Sequence, residues 1–151
     1  MKKKTIWITL LVIFVVVQLI PSGRPEVIKD NPNDLLLNNQ VPTQVESMLR
    51  AACYDCHSNE SIYPWYAYIA PVSFLVNRDI RIGREELNFS DWETIDKIDK
   101  AKLLDKIIEA VEAEEMPMAI YPPLHPEAKL STEDRKVLTD WAEAFAESLF
   151  E

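Results

Sequence analysis

Both cysteines of the chain lie in the five-residue segment Cys53–His57, which ends in one of only two histidines. The pattern C-x-x-C-H is the attachment signature of c-type haem. Two thiols at this spacing can add across the two vinyl groups of one porphyrin, and a histidine beside the second thiol can reach the iron. In a helix, Cys53, Cys56 and His57 are related by i, i+3 and i+4 and share nearly one face. The segment predicts one covalent haem c, attached through both cysteines and ligated by His57.

Two other uses of the cysteine pair have weaker support. C-x-x-C also occurs in thiol-disulfide oxidoreductases, but that function needs a βαβ context, which is missing from the sequence pattern. A zinc site usually has four well-spaced ligands, whereas this segment offers two cysteines and one contiguous histidine. Haem attachment therefore remains the leading interpretation.

A low-spin electron carrier needs a second iron ligand opposite His57, and a methionine thioether suits a high potential. The chain has four methionines. Met1 is the terminus, and Met48 lies on the helix that carries the motif, on the same side of the haem as His57. The candidates that remain are Met116 and Met118.

Met116 is the predicted second axial ligand because of the proline that follows it. Pro117 disfavours helical geometry at the preceding residue and lacks an amide hydrogen. The preceding helix should therefore stop and turn Met116 outward. Met118 and His125 remain open as alternatives, and His125 would give bis-histidine ligation with a lower potential.

Other side chains are candidates for the surroundings of the haem. The carbonyl of Pro64 could hold the Nδ1 atom of His57, which would fix the tautomer of the ring. Aromatic residues that follow the motif could wall the haem edge, and arginines of the next helix could bind its propionates. These are Tyr63, Trp65 and Tyr66, and Arg78, Arg81 and Arg84.

The spacing of apolar residues predicts about four helices and no strand, so the fold class is all-α. The first helix begins at a T-x-x-E capping box at Thr43 and carries the motif, and the second begins at Pro71. A second capping box at Ser90 opens the third helix, which ends near Glu115, and Ser131 with Asp134 caps the last. The irregular stretch from Met116 to Leu130 could close over one side of the haem.

The N-terminus predicts an export signal or a membrane anchor. Lys2–Lys4 precede an apolar run over Thr5–Ile20, which is of borderline length for a spanning helix. No clear A-x-A cleavage site follows, which favours an uncleaved signal-anchor over a signal peptide in residues 1–23. Residues 24–40 are predicted to be a linker and residues 41–151 the haem-binding domain. The positive-inside tendency places that domain in the bacterial periplasm, anchored to the cytoplasmic membrane or released if the signal is cleaved.

The formal net charge of the chain is −9. Without the three N-terminal lysines, 13 basic and 25 acidic residues remain, so the exported part carries about −12. Such an acidic domain should repel nucleic acid. A redox partner protein with a basic docking surface is the more plausible partner, although acidic residues also serve solubility alone.

Taken together, these pieces resemble the bacterial haem-binding domain family. The matching stretches span nearly all of the soluble part: CYDCHSNE at 53–60, YPWY at 63–66, IAPVSFLV at 69–76, NFSDW at 88–92, EEMPM at 114–118 and HPEAKLS at 125–131. The resemblance implies a cytochrome c-like monohaem domain with Cys53 and Cys56 as thioether sites and His57 as axial ligand. It implies haem binding rather than a particular reaction.

The expected function is that of a membrane-anchored monohaem c-type cytochrome that transfers electrons and is not an enzyme. No residue besides His125 resembles a poised general acid or base. The alternative is a haem-based gas or redox sensor, or a peroxidase-like protein, in which the sixth site of the iron is open.

Overall fold

The computed structural model describes residues 2–151, and over these residues the regular secondary structure is helical, without strands, as predicted. Seven α-helices occur there instead of about four, together with three short 3-10 helices. Met1 lies outside the described residues. The α-helices are α1 (Lys2–Val17), α2 (Leu35–Asn38), α3 (Thr43–Ala52), α4 (Tyr54–His57), α5 (Val72–Glu86), α6 (Lys97–Glu112) and α7 (Thr132–Ser148). The 3-10 helices are Trp65–Tyr68, Phe89–Thr94 and Pro126–Ala128.

The hydrophobic core lies mainly between α3, α6, α7 and the second 3-10 helix. Leu104 of α6 and Leu138 of α7 are fully buried, and Trp141 and Phe145 of α7 pack against the same cluster. Its other fully buried or nearly fully buried members are Leu35, Val45, Leu49, Phe89 and Trp92. The burial of these large side chains stabilises the fold by about 2 kcal/mol each.

Of the three predicted side-chain caps, the one at Ser131 is confirmed. The Ser131 hydroxyl accepts a hydrogen bond from the Asp134 amide at 3.1 Å, and the Asp134 carboxylate accepts one from the Ser131 amide at 3.0 Å. This reciprocal pair is a capping box. It satisfies two amide groups at a helix terminus that would otherwise lack partners.

The capping boxes predicted at Thr43 and Ser90 are wrong. Thr43 is the first helical residue of α3, and Pro42 occupies the cap position without a side-chain hydrogen bond. Ser90 lies inside the second 3-10 helix, and α6 begins later, where Asp96 accepts a hydrogen bond from the Asp99 amide at 3.0 Å. At α6, the Asp96 cap therefore takes the place of the capping box that was predicted at Ser90.

Residues 24–40, predicted to be a linker, pack on the rest of the chain. Leu35 is fully buried, and Ile28 donates its amide hydrogen to the Asn59 carbonyl at 2.8 Å. The buried carboxylate of Asp34 accepts a hydrogen bond from the Tyr54 hydroxyl at 3.0 Å. The segment therefore contributes to the core and braces the residues beside the C-x-x-C-H motif.

The residue that follows helix α1, Gln18, contacts the remainder of the chain. The Gln18 side chain donates to the Ala70 carbonyl at 3.0 Å and accepts from the Ala70 amide at 2.9 Å. Large apolar side chains along α1, from Ile6 to Val16, are exposed. Within residues 2–151, no helix has both the length and the hydropathy that crossing a membrane requires.

Candidate functional site

The C-x-x-C-H motif lies at a break between two helices and not inside one long helix. Helix α3 ends at Ala52, and α4 begins at Tyr54 after Cys53, whose φ of −126° departs from helical geometry. The His57 amide nevertheless donates to the Cys53 carbonyl at 2.9 Å, which closes one helical turn around the motif. The local turn therefore keeps the i, i+3, i+4 relation of the three residues.

The imidazole of His57 is held by two backbone carbonyls. Its Nδ1 atom lies 2.9 Å from the Gly83 oxygen and 3.1 Å from the Leu87 oxygen. Because both partners can only accept, Nδ1 must carry the hydrogen and Nε2 keeps a free lone pair. Burial lowers the pKa of His57 and outweighs these two hydrogen bonds, so the ring is neutral at pH 7. The structure thus presents a neutral Nε2, the form that binds a metal. Pro64, the predicted partner of Nδ1, does not fill this role.

Gly83 allows α5 to approach the motif this closely. A Cβ atom at this position would lie 2.7 Å from the Cys56 carbonyl oxygen and 3.3 Å from the Cys56 Cβ. A backbone oxygen cannot move aside as a flexible side chain can. The absence of a side chain therefore lets the Gly83 carbonyl reach the ring of His57.

Both cysteines are free thiols that are partly buried. Desolvation raises the pKa of Cys53 to about 12 and that of Cys56 to about 11, and neighbouring negative groups add to the effect. Both side chains are therefore protonated at neutral pH. Reactive cysteines of thiol-disulfide oxidoreductases have a lowered pKa instead, so this environment does not fit that alternative.

Two apolar clefts lie beside the motif. The first reaches Cys53, and the second reaches Cys56. His57 and Met116 line both clefts. Sites for small molecules and cofactors are concave and have mostly apolar walls. The clefts therefore bring the predicted axial pair together beside the two thiols.

Met116 is positioned by the turn that ends α6. Glu114 adopts a left-handed conformation with a φ of 58°, and the Glu115 amide donates to the Ala110 carbonyl at 2.9 Å. The Glu114 amide donates to the Val111 carbonyl at 3.2 Å. This is the Schellman pattern of a helix C-terminus. It reverses the chain so that Met116 follows directly at the mouth of the clefts.

The family comparison supports haem binding by this chain. A family model described as "Haem-binding domain" matches residues 12–144. The chain belongs to this family. No curated protein and no solved structure matches the chain. The protein is therefore a haem-binding protein with an all-helical fold.

The residues of this haem-binding domain fit the cofactor. Two free thiols, a neutral imidazole with an available Nε2 and a thioether meet beside apolar clefts. Phe89, which is 1% exposed, lines the first cleft and meets the His57 ring edge-on at 6.4 Å between centroids. Apolar walls of this kind suit a porphyrin, which is a large flat apolar group. Over the described residues, no cluster of three or more His, Cys, Asp or Glu side chains forms a separate metal site.

Of the two alternative ligands, Met118 shares the second cleft with His57 and Met116, whereas His125 lines neither of these two clefts. Met118 lines the second cleft and a third one that includes neither His57 nor Met116. The Nε2 atom of His125 lies 2.7 Å from the Tyr66 hydroxyl, and its ring stacks on Tyr121 with centroids 4.1 Å apart. His125 therefore belongs to an aromatic cluster, and the Tyr121 hydroxyl joins that cluster to the motif by donating to Asp55 at 2.7 Å.

The predicted haem neighbours are only partly near the clefts. Tyr66 lines the third cleft, whereas Trp65 is 75% exposed and Tyr63 donates to the Pro25 carbonyl at 2.8 Å.

The arginines predicted to bind the propionates have protein partners. Arg78 is paired with Asp79 at 2.7 Å, and Arg84 donates to the Glu26 carbonyl at 2.8 Å. Arg78 and Arg84 are therefore engaged with protein groups. Lys106, which lines the first cleft, was missed because a lysine on a helix resembles ordinary solvated surface.

Gly83 and Leu87 are the functional residues that sequence reasoning missed at the centre of the site. Their carbonyls hold His57, but a backbone carbonyl leaves no trace in residue type. Gly83 did carry a signal, because it is one of only two glycines in the chain and lies within an apolar periodic pattern. An isolated glycine in a helix often marks a packing or functional constraint.

Proposed function

We propose that this haem-binding protein is a monohaem c-type cytochrome that carries electrons while anchored to the bacterial cytoplasmic membrane. The single observation that carries the proposal is the meeting of His57 and Met116 at the same two clefts, each of which also includes one cysteine of the motif. A c-type cytochrome needs these four groups. They occur here on one short turn and one helix end.

Cys53 and Cys56 are the proposed attachment sites. Each thiol adds across one vinyl group, so that a sulfur-carbon bond forms and the thiol hydrogen goes to the other vinyl carbon. Burial keeps both thiols protonated and so limits their reaction with each other. No disulfide joins them in the described structure, which leaves both available.

His57 is the proposed proximal ligand and Met116 the proposed distal one. The carbonyls of Gly83 and Leu87 orient the imidazole and strengthen its basicity, as outer partners of ligating histidines do. When bound, the haem supplies a one-electron ferrous-ferric couple. A methionine ligand favours a high potential for such a couple. The residues thus hold and tune a redox centre without acting on a substrate.

Two observations favour a membrane anchor for the N-terminal segment. Helix α1 exposes large apolar side chains on all sides, among them Trp7, Leu11 and Phe14 at 72%, 62% and 46%. A helix that is apolar all round normally lies in a protein core or in a lipid bilayer. Lys3 and Lys4 precede this run and favour a cytoplasmic N-terminus with the haem domain on the periplasmic side.

The proposed partner is a redox protein that docks through a basic surface. The support is the net charge of −9, since opposite charges steer the encounter of electron-transfer proteins. Nucleic acid is disfavoured by the same charge. Enzymatic activity is not part of the proposal.

Haem attachment is tested by expressing the full chain with a periplasmic haem-attachment system and measuring its intact mass. We expect a mass increase of one haem that survives denaturation, because both thioether bonds are covalent. Cys53→Ala together with Cys56→Ala should abolish the covalent increase, whereas Ser58→Ala beside the motif should keep it. An unmodified wild-type chain, or a simple disulfide between the cysteines, would refute the c-type assignment.

Axial ligation is tested by the absorption of the ferric protein. Met116→Leu should remove the charge-transfer band of the methionine-iron bond, and Met118→Leu is the matched control that should keep it. Leucine preserves the apolar volume but has no sulfur. Loss of the band in the Met118 variant instead would reverse the assignment. Rapid binding of carbon monoxide to the reduced wild-type protein would favour the sensor or peroxidase-like alternative with an open sixth site.

A further inference from the structure

Exposed apolar side chains surround a third cleft, which shares Cys56 and Met118 with the second cleft but is lined by neither His57 nor Met116. This cleft opens between the Trp65–Tyr68 helix, the start of α5 and the stretch around Ile120. Five of its lining residues are large and exposed. These residues, with their exposed fractions, are Ile62 (77%), Val72 (41%), Leu75 (49%), Ile120 (71%) and Leu124 (63%). We call this surface the apolar face.

Two aromatic residues extend the apolar face. The ring of Trp65 is 75% exposed and lies 5.8 Å from the ring of Tyr66, which lines the third cleft. Tyr68 is 57% exposed and belongs to the same 3-10 helix. Single exposed apolar residues are common on soluble proteins, but contiguous patches mark an interaction surface. Seven large side chains on adjoining elements form such a patch.

The apolar face is continuous with the N-terminal helix. Gln18, which follows α1, makes two hydrogen bonds to the backbone of Ala70, which is separated from the start of α5 by Pro71. Leu19 and Ile20 on one side of this contact are 79% and 53% exposed. Exposed apolar surface therefore continues from α1 across the Ala70 contact to Val72.

Aromatic and basic residues of the types found at membrane-water interfaces lie near the contact between Gln18 and Ala70. The Arg24 guanidinium lies 3.9 Å from the centroid of the Tyr68 ring and 5.2 Å from that of Tyr63. Tryptophan, tyrosine and arginine are typical of this depth, because each has an apolar body and a polar end. Trp65, Tyr68 and Arg24 together supply such a border.

The net charge of the chain favours a zwitterionic lipid surface over an anionic one. The chain carries a formal net charge of −9, so an anionic bilayer would repel it. On α5, Arg78 is paired with Asp79 at 2.7 Å, which limits its use for attracting anionic headgroups. A zwitterionic surface brings the apolar contact without this repulsion.

We propose that the apolar face rests on the surface of a zwitterionic bilayer, beside the point where α1 enters it. The proposal rests on the membrane anchor of the proposed function, and it adds that the domain lies against the lipid instead of standing free above it. The third cleft, which reaches Cys56, would then face the headgroup region. A redox partner would accordingly approach from a different side of the domain.

The four tryptophans of the chain allow a test with internal controls. Full-length protein labelled with fluorotryptophan is placed in phosphatidylcholine bilayer discs, with and without a small fraction of lipid that carries a nitroxide near the headgroup. Fluorine resonances are assigned by single Trp→Phe variants. Trp7 in α1 reports the anchor, Trp65 reports the apolar face, and Trp92, which is fully buried, is the control.

The proposal predicts loss of the Trp7 and Trp65 resonances in nitroxide discs, while the Trp92 resonance persists. Ile120→Ser with Leu124→Ser should restore the Trp65 resonance and leave Trp7 broadened. The matched control is Ile98→Ser, which removes an equally exposed isoleucine at the start of α6 and should change neither.

Other outcomes overturn the proposal in distinguishable ways. Broadening of Trp7 alone would keep the anchor and refute lipid contact of the apolar face, which would leave that face to a protein partner. Broadening of neither resonance would refute both the anchor and the apolar-face proposal. Equal broadening of Trp65 and Trp92 would refute a specific contact.

Discussion

The two sides of the candidate haem site are held in different ways. On the His57 side, two backbone carbonyls of α5 fix the imidazole, and a helix packs so closely that only glycine fits. On the Met116 side, the methionine follows a left-handed turn and belongs to a stretch without long helices, held to the motif by the Tyr121 hydroxyl. The side chain of the candidate ligand His57 is thus held directly, whereas Met116 is held through its backbone, whose amide donates to the Ala110 carbonyl at 3.0 Å and whose carbonyl accepts from Arg135 at 3.1 Å.

The largest expected effect on stability comes from Gly83→Ala, which disturbs the packing that supports His57. The added methyl group meets the Cys56 carbonyl, so α5 must shift and the bond to Nδ1 weakens. We expect a loss of stability of about 3 kcal/mol, the upper part of the range for overpacking. Urea unfolding of the protein measures this change.

The control for this substitution is Glu85→Ala on the same helix, an exposed position that should change stability by less than about 0.5 kcal/mol. An unchanged unfolding midpoint for Gly83→Ala would mean that the His57 side is as adaptable as the Met116 side. The difference between the two sides would then disappear.

A smaller effect is expected from weakening the Met116 side with Tyr121→Phe. The variant loses the 2.7 Å hydrogen bond to the Asp55 carboxylate, which should lower stability by about 1.5 kcal/mol. Tyr68→Phe, at an exposed tyrosine, is the matched control with little expected change. A loss as large as that of Gly83→Ala would show that both sides are equally rigid.

The same tyrosine gives a pH prediction. Burial raises the pKa of Tyr121, and the hydrogen bond to Asp55 raises it further. An unfolded tyrosine ionises near pH 10, whereas the folded one keeps its proton, so the unfolded state binds fewer protons above that pH. Stability should therefore fall as the pH rises above about 10. In Tyr121→Phe this fall should be less steep, and equal slopes in thermal unfolding would contradict the assigned burial.

The smallest effect should be a gain in stability from Glu114→Gly. Glu114 has a φ of 58°, a conformation that disfavours a residue with a side chain. Glycine at this position of a Schellman turn should stabilise the protein by about 0.5 kcal/mol. The control, Glu109→Gly inside α6, should destabilise it by up to about 1 kcal/mol. A loss from Glu114→Gly would show that the side chain itself holds the turn.

The parts of the site that the sequence predicted are local. The C-x-x-C-H turn and the Ser131 cap each involve residues within four positions, so spacing alone describes them. The partners of His57 lie 26 and 30 residues away. No local pattern relates them, because the contact depends on how α5 packs. The predicted partner, the Pro64 carbonyl, is closer to His57 in sequence than the carbonyls of Gly83 and Leu87, but it does not hold the ring.

The segment before the domain shows a second limit. Proline, asparagine and aspartate in residues 24–40 are typical of a loop, and the segment was predicted to be a linker. Asn31 is 5% exposed and donates to the Glu60 carboxylate at 3.1 Å, and Asp34 is 3% exposed. Polar residues of this kind are as useful for buried hydrogen bonds as for solvated loops, and composition cannot separate the two uses.

Helix α5 connects the N-terminal segment to the candidate ligand. Near its middle, Asn77 donates to the Ser22 hydroxyl at 2.7 Å, and further along the Gly83 carbonyl holds the Nδ1 atom of His57. The two residues are separated by about 9 Å along the helix axis, because each residue of an α-helix adds about 1.5 Å. One short stretch of helix therefore holds both the N-terminal segment and the imidazole, so a substitution that displaces this stretch should disturb both contacts.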